Sequence, residues 1–469
     1  MAAPSKLWRA CSCYELGHTW TPFCTQATLD VAKAAYKYSF RIYLVFYLMA
    51  WTVRLKGKLH RLKWKRYLQD VLQSTLFLGT NAAVLIPEFC INRKVFGGFN
   101  YTFAFTAGAI ASGLAILMER KSRRGVLALY MSNLGVETIF KMLAARGIVR
   151  PIPNGEVLLF SITSAIGLYL MKYGNTVKGD TQSALKTLFG PGELPLLEQD
   201  QSTQQEAPSR GSNGEAATPP SRSSNPLAIL KQKVLEFVQR VRALQKHHLC
   251  LHKYSCTYYI IIDGLVRKFL AGFLIQAVIN VVKGLKRIVK QPSFILKALN
   301  HKDNWNLGFH LSLYVGVFRG LMCLLRWLRN KDSPIHALVA GFVSGLSSAF
   351  YKSSTIALYF ASKITENVFF KGQELGYIPH IPFGDCILYT LSTATVLHAA
   401  VFEPQNIRPA YWNFLLGLTG HNFEGINRHL LTPLVPHAAD LYKDFWPNYD
   451  PKYLTVLHPQ GFPWRESGI

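Results

Sequence analysis

Acidic residues are scarce: the chain holds 26 Asp and Glu against 52 Lys and Arg, a net charge of +26 over 469 residues. Such a balance suits nucleic acid or the basic side of a membrane. The basic clusters Arg54–Arg66, Arg120–Arg124, Lys283–Lys290 and Arg326–Lys331 lie between apolar runs. Basic loops flanking membrane spans produce that pattern, so no nucleic-acid partner is expected. Catalytic signatures are missing as well. There is no Gly-rich phosphate loop, HExxH or GxSxG motif. Without them, isolated His310, His336 and His398 read as packing or capping residues, and the chain is not read as an enzyme. Cysteine is sparse, eight in all, and Cys90, Cys323 and Cys386 sit in apolar runs. Free buried thiols pack as small hydrophobes. This argues against a secreted disulfide framework and for a reducing or cytosol-facing setting. Met1–Arg9 is short and mixed, and Ser467-Gly468-Ile469 is neither a peroxisomal-lumen nor an ER-retrieval address.

Apolar residues are abundant, at 49% of the chain. Several runs approach the roughly 17–25 residues needed to cross a bilayer. Tyr101–Met118 carries no charge, and as a helix it would reach about 27 Å. The chain also matches itself at a spacing of about 229 residues. Gly147–Glu156 lies over Gly376–Asp385, Glu137 over Glu366, Phe140 over Phe369, and Leu129-Tyr130 over Leu358-Tyr359. With small shifts, Gly113-Leu114 falls on Gly345-Leu346, and Cys90 with Arg93 on Cys323 with Arg326. Agreement of Pro, Gly and acidic residues at one offset points to duplication.

The expected fold is an all-α membrane protein of two homologous halves, a parallel internal repeat. Each half has about four transmembrane helices after an interfacial helix. Spans are predicted over Val71–Ile91, Tyr101–Met118, Val126–Ala145 and Val157–Met171, then Leu307–Leu328, Ile335–Tyr351, Thr355–Phe370 and Cys386–Phe402. Ser39–Val53 contains Arg41, and Tyr258–Val282 contains Asp263, Arg267 and Lys268. A charge at a helix centre costs about 2.5–3.5 kcal/mol on insertion scales, so both segments read as interfacial. The matched basic runs then share one side, which the positive-inside rule makes cytosolic together with the linker and termini. Six regions follow: 1–38, an N-terminal Cys/His-containing segment; 39–179, the first membrane repeat; 180–226, a disordered cytosolic linker; 227–257, a basic amphipathic and Cys/His-rich segment; 258–403, the second repeat; and 404–469, an aromatic-rich tail. The polar composition of Gln199–Pro226 cannot bury enough surface to fold alone.

Three groups of side chains stand out. Glu137 and Glu366 occupy equivalent places in predicted spans. An intramembrane carboxylate faces either a partner or a wet cavity, so they read as a pair lining a pathway or as structural residues bonded to neighbours such as Lys363. Gly341 and Gly345, with Gly108 and Gly113 loosely equivalent, form small-xxx-small patterns that let helices approach. Cys11, Cys13, His18 and Cys24 have a counterpart in His247, His248, Cys250, His252 and Cys256. Thiolate and imidazole at short spacing suit zinc. The alternative is a pair of Cys/His-rich loops, palmitoylated as juxtamembrane cysteines often are.

The strings Cys13–Trp20 (CYELGHTW), Glu119–Gly125 (ERKSRRG), Asn154–Phe160 (NGEVLLF), Arg326–Asn330 (RWLRN), His336–Gly341 (HALVAG), Tyr351–Thr355 (YKSST) and Arg408–Trp412 (RPAYW) carry a family resemblance. The chain resembles the transmembrane protein 135 family of vertebrate peroxisomal membrane proteins from about Cys13 to Tyr453. The first nine residues and the linker depart from that pattern. The resemblance implies peroxisomal membranes, association with mitochondria and lipid droplets, and roles in mitochondrial fission and fatty-acid and cholesterol handling. Its implied partners are the lipid bilayer and peroxisomal import or mitochondrial fission machinery, with a homo-oligomer left open. The family is distantly similar to the mitochondrial inner-membrane translocase channel superfamily. The expected function is therefore a non-enzymatic organiser of organelle membranes; the alternative is a channel or carrier for a small solute or lipid at the repeat interface.

Overall fold

The computed structural model describes residues 8–55, 60, 62–172, 179–190, 236, 239–242, 245–250 and 252–455. Most of the linker over 180–226, much of the basic segment Leu227–Leu244, and Trp464 lie outside the described residues. What is described is almost wholly helical. Among these residues the sheet is one antiparallel pair, Trp8–Arg9 with Phe99–Asn100, in which Trp8 faces Asn100 and Arg9 faces Phe99. Among the described residues, six helices are long and apolar enough to cross a membrane: Trp64–Phe96, Lys121–Ala145, Gly155–Lys172, Cys256–Gly284, Phe294–Arg329 and Gly384–Phe402. Phe103–Met118 and Pro334–Ala349 are apolar but shorter.

Three expectations need correction. Tyr258–Val282, read as interfacial, lies in a helix apolar enough to span. Its charges have partners: Asp263 pairs with Arg267 at 2.8 Å and Arg319 at 2.6 Å, and Lys268 donates to the Thr187 carbonyl. Thr355–Phe370 lies in the helix Ser354–Glu374, which is not among the six. Its middle holds Lys363, Thr365, Glu366 and Asn367 in succession with Ile364, too polar for the required average. Finally, the expected linker begins as the helix Gly179–Phe189. Leu185 and Phe189, one turn apart, are buried with Tyr314 and Phe318.

The chain forms two compact units. The first holds residues 1–151 and 381–469, the second residues 152–380. They do not coincide with the two halves of the sequence. In the first unit, the helices α2 (Cys24–Arg54), α3 (Trp64–Phe96), α4 (Phe103–Met118) and α5 (Lys121–Ala145) are joined by Gly384–Phe402, which packs on α4 and α5. Ser39–Val53 is the later part of α2. The face of α4 toward the core is Ala104, Ala107, Ala111 and Ala115, all buried. A Cβ on Gly108 would lie 3.1 Å from the Ala394 Cα, whereas one on Gly113 would meet only Thr390, at 3.6 Å.

Residues after Glu403, read as a tail, complete this unit's core. Trp412, Phe423, Leu430, Leu431 and Ala438 join its central cluster. The fully buried Arg428 donates to the carbonyls of Ala400, Val401 and Phe423. Among the buried polar residues of this stretch, Arg428 meets carbonyls at the end of Gly384–Phe402, and the Asn427 amide donates to the Leu16 carbonyl.

In the second unit, α6 (Gly155–Lys172) packs on Pro334–Gly345 and Ser354–Glu374. Small residues on both sides permit it. A Cβ on Gly341 would sit 2.9 Å from the Ala165 Cα, and one on Gly345 2.5 Å from the Ser161 Cα. Overpacking typically costs about 1–3 kcal/mol. Gly345→Ala and Gly341→Ala should therefore lower the melting temperature of the detergent-solubilised protein. Gly113→Ala, with room for its methyl, should leave it unchanged or slightly raised.

The turns leaving α5 and Ser354–Glu374 share one backbone. Gly147 and Gly376 are left-handed at φ 72° and 78°, as are Asn154 and Phe383 at 56° and 57°. The amide of Ile148 donates to Leu143 and that of Tyr377 to Gly372, at 3.0 and 2.9 Å.

Candidate metal centres and intramembrane carboxylates

In the first unit, a short capped helix presents the first cysteine. Ser12 Oγ accepts from the Glu15 amide at 3.1 Å, and the Ser12 amide donates to the Glu15 carboxylate at 2.6 Å. This capping box starts the helix α1 (Cys13–Leu16). Glu15 is itself fully buried and accepts from the amide and hydroxyl of Thr455. The strand pair and the Arg93 Nε bond to the Cys11 carbonyl, 3.0 Å, hold the segment against the end of α3. His18 follows α1, Cys24 opens α2, and Cys90 projects from α3. Their donor atoms, one from each of Cys13, His18, Cys24 and Cys90, all lie within 4.8 Å of one another. His18 Nδ1 lies 2.7 Å from the Thr21 carbonyl, and Nε2 is 3.7 Å from Cys90 Sγ. The Cys90 contact, followed by that of His18, pulls the Cys13 thiol down to about 5 against the effect of burial.

The second unit repeats the donor set. Cys250, His252, Cys256 and Cys323 also bring one donor each within 4.8 Å of the others. Cys250 Sγ is 3.9 Å from both Cys323 Sγ and Cys256 Sγ, and Cys323 Sγ is 3.6 Å from His252 Nε2. His252 Nδ1 lies 2.6 Å from the Tyr254 carbonyl, and the ring stacks on Tyr259 at 4.4 Å. Contact with Cys323, then His252, holds the Cys250 thiol down at about 3 against burial. Tyr259 opens a π-helix, Tyr259–Val266, a form found mostly as short bulges and often at functional sites. The buried Arg319 lies 4.0 Å over the Tyr259 ring and donates to its carbonyl at 3.0 Å.

Of the residues singled out in the sequence, Cys13, His18 and Cys24 come together, as do Cys250, His252 and Cys256. Cys11 does not join them. Burial, followed by the charge of Glu15, pushes its thiol up to about 12. The rings of His247 and His248 lie tilted at 4.3 Å, and His247 lies tilted against Trp327 at 5.5 Å. Each group is completed by a residue that sequence reasoning treated as packing, Cys90 in one and Cys323 in the other. Their correspondence at matched positions, each followed at the third residue by Arg, was the available signal.

The two carboxylates each have a cation in their own unit. Glu137, buried on α5, accepts from Arg408 Nε at 3.1 Å and also from its Nη2, and pairs with Lys141 Nζ at 2.8 Å. Glu366 is half-buried and pairs with Lys363 at 2.7 Å.

Residues 10–144 match the family model of the N-terminal cysteine-rich region of Transmembrane protein 135. Residues 261–365 match that of the Tim17/Tim22/Tim23/Pmp24 family. Both agree with the resemblance read from the sequence strings, and the chain is a membrane protein with segments similar to these two families. The first match takes in Cys13, His18, Cys24, Cys90 and Glu137, and the second takes in Cys323, Gly341 and Gly345. No solved structure matches the chain.

Proposed function

We propose that this chain is a non-enzymatic scaffold of peroxisomal and mitochondrial membranes, with linker and termini cytosolic. It organises peroxisomes and mitochondrial fission and influences fatty-acid and cholesterol handling, as the Transmembrane protein 135 resemblance implies. The bilayer is its first partner, and fission or import machinery its protein partner. Its architecture is two copies of one helical repeat. Supporting this are the two turns of equal backbone conformation and the two groups with the same order of Cys, His, Cys and Cys.

The observation that carries the scaffold reading is the pairing of the carboxylates. A cation pathway needs an acidic group able to exchange one partner for another. Glu137 is held by two cations, one through a forked guanidinium, and Glu366 by a lysine one turn away. In the scaffold reading, carboxylates held in this way brace the packing of their own unit rather than line a pathway. The Tim17-type match over residues 261–365 favours the second reading, a channel or carrier. Proteoliposomes holding only this protein separate the two. For the scaffold, proton, cation, fatty-acid and sterol flux should equal that of empty vesicles, and a Glu137→Gln, Glu366→Gln variant should restore organelle shape in cells lacking the protein. Flux that disappears in that variant at equal protein content would install the channel reading instead.

A further inference from the structure

We infer that each unit holds one zinc ion in a closed Cys3His site: Cys13, His18, Cys24 and Cys90 in the first, Cys250, His252, Cys256 and Cys323 in the second. This goes beyond the scaffold reading and does not depend on it.

The geometry fits one ion. Zinc bonds of about 2.3 Å to sulfur and 2.0–2.1 Å to nitrogen place tetrahedral ligands roughly 3.4–3.8 Å apart. The separations here are 3.7 Å between Cys90 and His18, 3.6 Å between Cys323 and His252, and 3.9 Å for the two sulfur pairs around Cys250. All eight cysteines of the chain are free thiols, so none of these contacts is a disulfide. Four donors all within 4.8 Å of one another suit a single ion rather than a cluster whose ligands divide between two irons.

The histidines are prepared for the role. A carbonyl only accepts, so the 2.7 Å contact of His18 Nδ1 with Thr21 and the 2.6 Å contact of His252 Nδ1 with Tyr254 require Nδ1 to carry the proton. Nε2 then turns a lone pair toward the sulfurs. Metal-bound histidines are held in this way by outer-shell acceptors. Buried thiols packed only as hydrophobes have no need of such an arrangement, and here it occurs twice, on loops of different spacing.

Three protein sulfurs and one imidazole leave no open position, which marks a structural site. In the first unit the ion joins the N-terminal segment and the start of α2 to the end of α3. In the second it joins Cys250, His252 and Cys256 to the long helix Lys302–Arg329. The two differ in access: Cys250, Cys256 and Cys323 are buried, whereas Cys13, Cys24 and Cys90 are partly exposed. A chelator should strip the first site faster.

The test uses the full-length protein in detergent, loaded from buffered zinc chloride and desalted. Mass spectrometry should find two zinc ions per chain, one in Cys90→Ser, one in Cys323→Ser, none in the double variant and two in Cys11→Ser. Cobalt in place of zinc should give the thiolate charge-transfer and tetrahedral ligand-field bands of a Cys3His site in the wild-type chain, a readout that needs no variant to fold. His18→Cys, which keeps four soft donors, should retain both ions. A folded wild-type chain that takes up neither zinc nor cobalt overturns the proposal. So does iron with acid-labile sulfide in place of zinc, or metal content unchanged in folded Cys90→Ser and Cys323→Ser.

Discussion

Glu137→Leu should destabilise the first unit by about 3–5 kcal/mol, the usual result of leaving a buried charge without its partner. The stranded group is Arg408, only 19% exposed in its side chain, which gives both Nε and Nη2 to the Glu137 carboxylate. Lys141, at 38% exposed, can turn to solvent and should add little. Arg408→Leu should cost less than Glu137→Leu, because Lys141 stays with the carboxylate. The double variant Glu137→Leu, Arg408→Leu should be more stable than the sum of the two single losses, since residues in one ion pair couple. Thermal unfolding in a single detergent reads all three. Equal melting temperatures for wild type and Glu137→Leu would mean that the pair contributes nothing. Glu137→Gln, which keeps the hydrogen-bonding shape, should fall between wild type and Leu.

Arg428→Met should be the most damaging single change in the C-terminal segment, at more than about 4 kcal/mol. One side chain donates to three backbone carbonyls at 2.9–3.2 Å, and bonds from a charged donor contribute about 1.5–3 kcal/mol each. Its guanidinium also lies 5.5 Å from the Trp412 ring and 5.1 Å from that of Tyr442. Burial draws its pKa down to about 10, still far above neutral, so the loss should not change with pH between 6 and 8. Lys should rescue little, because a single ammonium cannot reproduce the fork. The damage should spread. Asn427, the preceding residue, donates its amide to the Leu16 carbonyl, and Tyr449 donates to that of Glu15. The segment bearing Cys13 and His18 is therefore tied to the Arg428 region. Limited proteolysis of Arg428→Met should cut near residue 20 sooner than in wild type, while cleavage of the second unit stays unchanged.

The apolar runs around Val71–Ile91, Val126–Ala145, Val157–Met171, Leu307–Leu328 and Cys386–Phe402 could be read from composition because a bilayer sets a length and a polarity that each helix meets by itself. Tyr258–Val282 was misread because its three charges were weighed against lipid, when Arg319 and the Thr187 carbonyl come from residues far along the chain. The partners of the C-terminal residues were not legible for a related reason. Arg428 looks like surface until the ends of the Gly384–Phe402 carbonyls that it satisfies are known.

The candidate centres divide in the same way. Cys13, His18 and Cys24, like Cys250, His252 and Cys256, announce themselves by short spacing along the chain. Cys90 and Cys323 do not, since each stands alone in an apolar helix and a lone thiol there has the ordinary character of a hydrophobe. The sequence alone determined a basic, helical membrane chain, its paired acidic and small residues, and three of four donors in each group, because these depend on composition and on neighbours in the chain. Tertiary structure alone decided which helix completes each unit, which cation meets Glu137 and which cysteine closes each donor set. Those outcomes depend on segments up to hundreds of residues apart whose backbones can approach only where small residues such as Gly108 and Gly345 leave room.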